Sequence, residues 1–287
     1  MRPNPKNFQH LKKNLEKYHS GAVHSLQKTH GHILKGVKHN AATVIGSAML
    51  ASGVAGVHVP QAGLDKNKIV ALTEADTKLN QAAKNLESVQ NILSTDPQSL
   101  TKEQETLLEI SLSDYFDISL KTVLDNNRLN SVWGYFGQEQ HLRRWPNDKL
   151  LDHGQNLEKG IAPALGAFGY FDNAEQEKYY IAAQIHVLHN WNTDWPVLKP
   201  WYKFRKVLVY NPKNQRAVVA VFGDAGPATW TGKQFGGSPE LMDYLDMYDG
   251  SAKSRALVLF VDDSHNNVKL GPIESPYKIT TLASLNK

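Results

Sequence analysis

Hydrophobic and polar positions divide the chain into three regimes. Residues 61–127 are polar with apolar residues three and four apart. Leu72, Ala75, Leu79, Ala82, Ala83, Leu86, Val89, Ile92 and Leu93 form one such series, and Leu107 to Leu124 a second, with Asp96-Pro97 between them. That spacing predicts two amphipathic helices, ending near Asn126-Asn127, that form a hairpin or stalk. Residues 130–200 hold the highest density of aromatic side chains, and Tyr179 to Val187 (YYIAAQIHV) reads as a buried strand carrying His186. From Val207 onward the pattern becomes short apolar runs separated by turn residues. Val207–Tyr210 and Ala217–Phe222 are β-branched or aromatic runs of strand length around Asn211-Pro212-Lys213-Asn214, which predicts a hairpin.

A loop follows with glycine at 223, 226, 232, 236 and 237. Such density lets a chain cross close to other strands. Ser238 and Pro239 have the chemistry of a helix start. Leu241, Met242, Leu245 and Met247 give that helix an apolar side, and Ala256–Val261 is a further strand. The polar remainder, from 266 on, is expected to add at most one edge strand.

Order and spacing along this stretch carry a resemblance. The run N-P-x-N, then VVAV, Asp224-x-Gly226-Pro227, Trp230-Thr231-Gly232 and Ser238-Pro239-Glu240 resembles the double-psi β-barrel of the rare-lipoprotein-A and expansin-like proteins. The match covers about sixty residues, roughly a fifth of the chain, from Val207 on. It implies an α+β protein whose C-terminal part, 130–265, is a six-stranded double-psi β-barrel with an aromatic-rich insertion. It also implies that Asp224 lines a groove for cell-wall glycan such as peptidoglycan, which some members of the family cleave. Two positions depart from the family. Gln215 stands where a glycine is usual, and the family's second acid, ahead of the helix, is replaced by Gly236.

Composition changes this picture mainly at the N-terminus. The formal net charge is +4, yet residues 1–40 alone hold eight Lys/Arg against Glu16. The folded body is therefore slightly acidic, which disfavours a nucleic-acid partner. The tail also holds six histidines, His10, His19, His24, His30, His32 and His39, at irregular spacing, which fits a solvated cationic tail better than a metal tract. Residues 41–59 contain no Asp, Glu, Lys or Arg. After the basic flank they read as a single-pass signal-anchor, with 1–40 cytoplasmic and everything beyond 60 outside the cytoplasm. A buried Ala/Gly-rich helix in a cytoplasmic protein is the alternative. The stalk, 60–129, offers a surface for self-association. The chain has no cysteine, so neither disulfides nor a thiolate metal site can form.

The candidate chemistry centres on Asp224 as proton donor to a glycosidic oxygen, with His186 or His189 as helper. An Asp before Gly-Pro also caps its own turn. Trp191, Trp201 and Trp230, with Gly226, Pro227 and Gly232, are the expected ligand-contacting residues. No metal and no cofactor is expected at this site, since His186 and His189 face opposite ways on a strand. The function expected is binding, and cleavage if the site is catalytic, of cell-wall glycan by a membrane-anchored barrel. A non-catalytic module docking an envelope protein is the other reading.

Overall fold

The computed structural model describes residues 80–247 and 254–276. The expected membrane segment, the basic tail and its histidines lie outside them. Among the described residues no helix is long and apolar enough to cross a membrane.

The first helix, α1, covers residues 80–92. The second, α2 (Lys102–Phe116), starts at a capping box in which Thr101 and Gln104 bond each other's backbone. It ends where Asp117 takes a left-handed conformation, φ 56°. The helical pattern expected to run on to Asn127 therefore breaks ten residues early. Three two-residue strands follow instead: β1 (Leu120–Lys121), β2 (Val123–Leu124) and β3 (Asn127–Arg128). The sequence spacing hides this, because the apolar residues of a short strand pair can coincide with a helical series.

The remaining strands are β4 (Trp133–Gln138), β5 (Tyr180–Ala183), β6 (Lys206–Asn211), β7 (Arg216–Ala225), β8 (Phe235–Gly237), β9 (Ser254–Val261) and β10 (Gly271–Ile273). Their pairing runs β9-β4-β8-β5-β7-β6 and back to β9, which closes six strands into a barrel. Two pairs, β4/β8 and β5/β7, are parallel, and the rest are antiparallel. The hairpin read from Val207 and Ala217 is the β6/β7 pair, and the glycine-rich loop carries the chain from β7 across β5 to β8. The edge strand of the polar remainder is β10, paired with β7.

Alternation along β6 explains why its sequence is apolar throughout. Val207 and Val209 point into the barrel with Phe136, Ile181, Phe222, Phe235 and Phe260. Leu208 and Tyr210 point outward and pack with Val219, Leu257 and Leu259 under Val89, Leu93, Leu108 and Leu112 of the helical pair. The pair is thus docked along the barrel wall and does not project as a free stalk. Its apolar stripe has a matching outer apolar face to bury, as amphipathic helices do.

Three shorter helices complete the body: α3 (Ala174–Lys178), α4 (Trp191–Tyr202) and α5 (Pro239–Tyr244). Leu198 and Tyr202 of α4, together with Leu241 and Met242 of α5, enter the barrel core. Ser238 starts α5 but spends its hydroxyl on Lys178 O at 2.7 Å rather than on a cap. The strand expected through Val187 stops at Ala183. Ile185–Val187 is a 3-10 turn, and it carries His186.

Candidate functional site

Opposite the helical pair, the outer face of β5 and its neighbours is floored by very small residues. Ala182 pairs with Asp224 of β7 on one side and with Gly236 of β8 on the other. The β5/β7 register shifts between Ile181 and Ala182, so Gly223 is an extra residue in its strand. Such a bulge re-aims the next side chain. Phe222 enters the core, and Asp224 comes out beside Ala182 instead of following it inward. Glycine is needed at 223, because a Cβ there would come within 2.8 Å of Tyr180 and 2.9 Å of Phe171.

The Asp224 carboxylate anchors the loop that crosses this face. Its Oδ1 accepts the Ala167 N–H at 2.6 Å and the Ala225 N–H at 2.8 Å. Both bonds fall on one oxygen, and Oδ2 has no protein partner among the described residues. The acid therefore holds a turn, as its Gly-Pro context suggested, and still presents a free oxygen outward.

A second acid lies beside it. Gly137 of β4 and Gly236 of β8 are directly paired. Lys233 lies across Gly137, and Glu139, just past β4, lies across Gly236. A Cβ on Gly236 would fall inside the Glu139 side chain, 2.5 Å from its Cδ and 2.6 Å from its Cγ. The carboxyl thus fills the space of the side chain that Gly236 lacks. Glu139 also donates its N–H to Gly237 O at 2.9 Å, which fixes the backbone under it. Burial pushes the Glu139 carboxyl up to about 7, the Asp224 charge adds to the shift, and Lys233 opposes it. The Gly236 and Asp224 backbones stand two strand spacings apart, about 10 Å. The two carboxyls therefore lie on the same outer face, on either side of Ala182. Sequence reading missed Glu139 because it is some eighty-five residues from Asp224. The paired glycines at 137 and 236 were the only available signal.

The other expected residues are placed less centrally. Trp230 stands on the turn Thr229–Thr231, just past Asp224, and is 87% exposed. Gly226 gives its N–H to Ala183 O at 3.0 Å, and Pro227 receives the Gln184 amide at 3.1 Å, so both hold the loop to β5. Gly232 ends the Trp230 turn in the left-handed region, φ 68°. Trp191 and Trp201 belong to α4 and pack against the barrel core. Trp201 also bonds Asp125 at 3.2 Å and stacks under Arg205. His189 lines a separate hollow of about 340 Å³ with Asn130, Leu198 and Tyr202. His186 keeps a buried Nδ1 with no partner among the described residues. Neither histidine bonds Asp224 there.

Just beyond Glu139 lies a buried polar network. His141 Nδ1 and His153 Nδ1 are each 3.1 Å from an oxygen of Glu177. His141 Nε2 lies 3.3 Å from Asn156 O. Asp148 takes two side-chain bonds from Arg144, at 2.9 and 2.7 Å. Burial would raise Asp148, but the Arg144 bonds outweigh it and hold the acid below its ordinary value. Burial raises Glu240, whose Oε2 is enclosed without a partner.

No protein-family model and no curated protein matches this chain.

Proposed function

We propose that this is a double-psi β-barrel protein resembling rare lipoprotein A, which binds cell-wall glycan and cleaves it with Glu139 and Asp224. The observation that carries this reading is the Glu139 carboxyl lying in the space over Gly236. That is the position of the acid that the resembling family carries ahead of its helix. A carboxylate lost from β8 in sequence is returned in space from β4. The two parallel pairs, linked by a loop crossing β5, fit the crossed connections of a double-psi barrel.

Glycoside cleavage needs one acid that is protonated near neutrality and one that is charged. Glu139, held near 7, gives its proton to the glycosidic oxygen as the bond to the sugar C1 breaks. Asp224 Oδ2 faces the positive charge that develops on that carbon. Water, or a hydroxyl of the same sugar, then bonds to C1 and gives its proton back to Glu139. Trp230, on the turn that follows β7, supplies an exposed flat ring for a sugar face. His186 and His189 have no part in this scheme.

Release of soluble muropeptides from purified peptidoglycan tests the reaction. Glu139→Gln and Asp224→Asn are each expected to lower release by about 100-fold or more while still pelleting with the polymer. Release by Glu139→Gln at the wild-type rate overturns the catalytic assignment. Wild type that neither pellets nor releases overturns the glycan reading. Pelleting without release by wild type supports a binding module, a role favoured by the two backbone bonds that engage Asp224. The anchor at 41–59 and an extracytoplasmic body belong to the same proposal, and a topology reporter fused after Asp65 tests them.

A further inference from the structure

The network of His141, His153 and Glu177 has a chemistry that the carboxylate trough does not use. A neutral imidazole has one N–H and one lone pair. His141 meets an acceptor at both nitrogens, Glu177 Oε1 at Nδ1 and Asn156 O at Nε2. His153 does too, with Glu177 Oε2 at Nδ1 and Asp148 Oδ2 3.2 Å from Nε2, the latter off line for a hydrogen bond. The two rings lie with centroids 4.4 Å apart, and their side chains are 0% and 1% exposed.

We propose that His141 Nδ1, His153 Nδ1 and the Glu177 carboxylate bind a zinc-class divalent metal ion. One donor atom from each of the three residues lies within 4.8 Å of the others. Donors about 2.0–2.1 Å from a tetrahedral zinc stand about 3.3 Å apart. Each Nδ1 already lies 3.1 Å from one of the two Glu177 oxygens, so the set has to draw in only slightly around an ion. The metal takes both Nδ1 lone pairs, and the His141 Nε2–H then meets the Asn156 carbonyl, an outer partner of the kind that orients metal-bound histidines. The Asp148 carboxylate lies 3.2 Å from His153 Nε2 and adds its charge there. Arg144 pairs with Asp148 at 2.7 Å, and Glu177 and Glu240 are two further buried carboxylates. Glu240, whose Oε2 is enclosed with no hydrogen-bond partner among the described residues, is a further acidic donor near His141.

The ligands come from the loop after β4, from the turn Leu150–His153 and from α3. A metal there ties 139–160 to α3, and its role is structural. It stands whether or not the barrel takes glycan.

The test uses the full chain, with the six tail histidines changed to Asn so that they cannot hold metal. Protein grown with zinc is expected to carry one equivalent, and His153→Gln and Glu177→Gln to carry none. If those variants do not fold, the parent is stripped with chelator and titrated with zinc while its Tm is followed. A saturable rise at one equivalent is expected. Cobalt in place of zinc should give the intense visible bands of a tetrahedral site. Metal content unchanged by His153→Gln, or a Tm indifferent to chelation and zinc, overturns the site.

Discussion

Glu139 joins a single side chain to a whole-protein observable. Its folded carboxyl titrates near 7 and its ordinary value is 4.5. A raised acid stabilises the fold below pH 4.5, where it is protonated in both states, and that contribution is lost as pH climbs through 7. The loss amounts to at most about 3 kcal/mol. Glu139→Gln stays neutral throughout. Urea midpoints at pH 4.5 should therefore be alike for variant and wild type, and at pH 8 the variant should be the more stable. Glycan release by wild type should fall over the same range, since deprotonated Glu139 has no proton to give. Gln215 is a simpler residue-scale case. It sits at φ 61° in the turn between β6 and β7, where the resembling family has glycine. Left-handed backbone costs an L-residue roughly 1 kcal/mol. Gln215→Gly should raise the thermal midpoint slightly, partly offset by the greater freedom of glycine when unfolded.

At the scale of elements, the paired glycines of β4 and β8 are expected to differ from Gly134, three residues before Gly137 on β4. A Cβ on Gly236 meets first the flexible Glu139 side chain, from its carboxyl back to Cγ, and that chain has rotamers in which to move off. A Cβ on Gly134 meets Gln234 Cβ at 2.7 Å and the buried Phe235 ring at 2.8 Å. Gly134→Ala should cost about 1–3 kcal/mol, as overpacking does. Gly236→Ala should leave stability nearly unchanged yet displace the acid and abolish release. Denaturant melts and the release assay, run together, separate the two. Legibility followed the same division. The hairpin, β9 and α5 could be read because period-two runs, turn residues and a Ser-Pro start all agreed locally. The strand through His186 was read too long because Ile185 and Val187 carry β-favouring side chains into a 3-10 turn. Asp224 was legible from its Gly-Pro context. Glu139, His141 and Glu177 were not, because only barrel closure and the loop after β4 bring them to one side.

At the scale of the whole molecule, the decisive surface is the outer wall that α1 and α2 cover. Leu208, Tyr210, Val219, Leu257 and Leu259 lie there, all at most 1% exposed with the helices in place. Helical periodicity alone predicted amphipathic helices but not what their stripe faces, so a free stalk and a docked pair looked identical in sequence. The two differ physically. A docked pair belongs to the barrel's cooperative unit, because Leu112 contacts the same buried cluster as Leu257. Leu112→Ala should then cost about 2–5 kcal/mol in a single unfolding transition seen alike by far-UV and near-UV signals. A fragment starting at residue 66, which keeps both helices, should be monodisperse. One starting at residue 130 would expose that apolar wall and should aggregate or bind hydrophobic dyes, as large exposed apolar patches do. Light scattering on the two fragments decides it: a monomeric 130–287 fragment with the same thermal midpoint as 66–287 would mean that the helices are an appendage. If 130–287 aggregates as expected, its pelleting with peptidoglycan would say nothing about the acids, since aggregates sediment alone, and the 66–287 fragment is the one whose binding tests the glycan proposal.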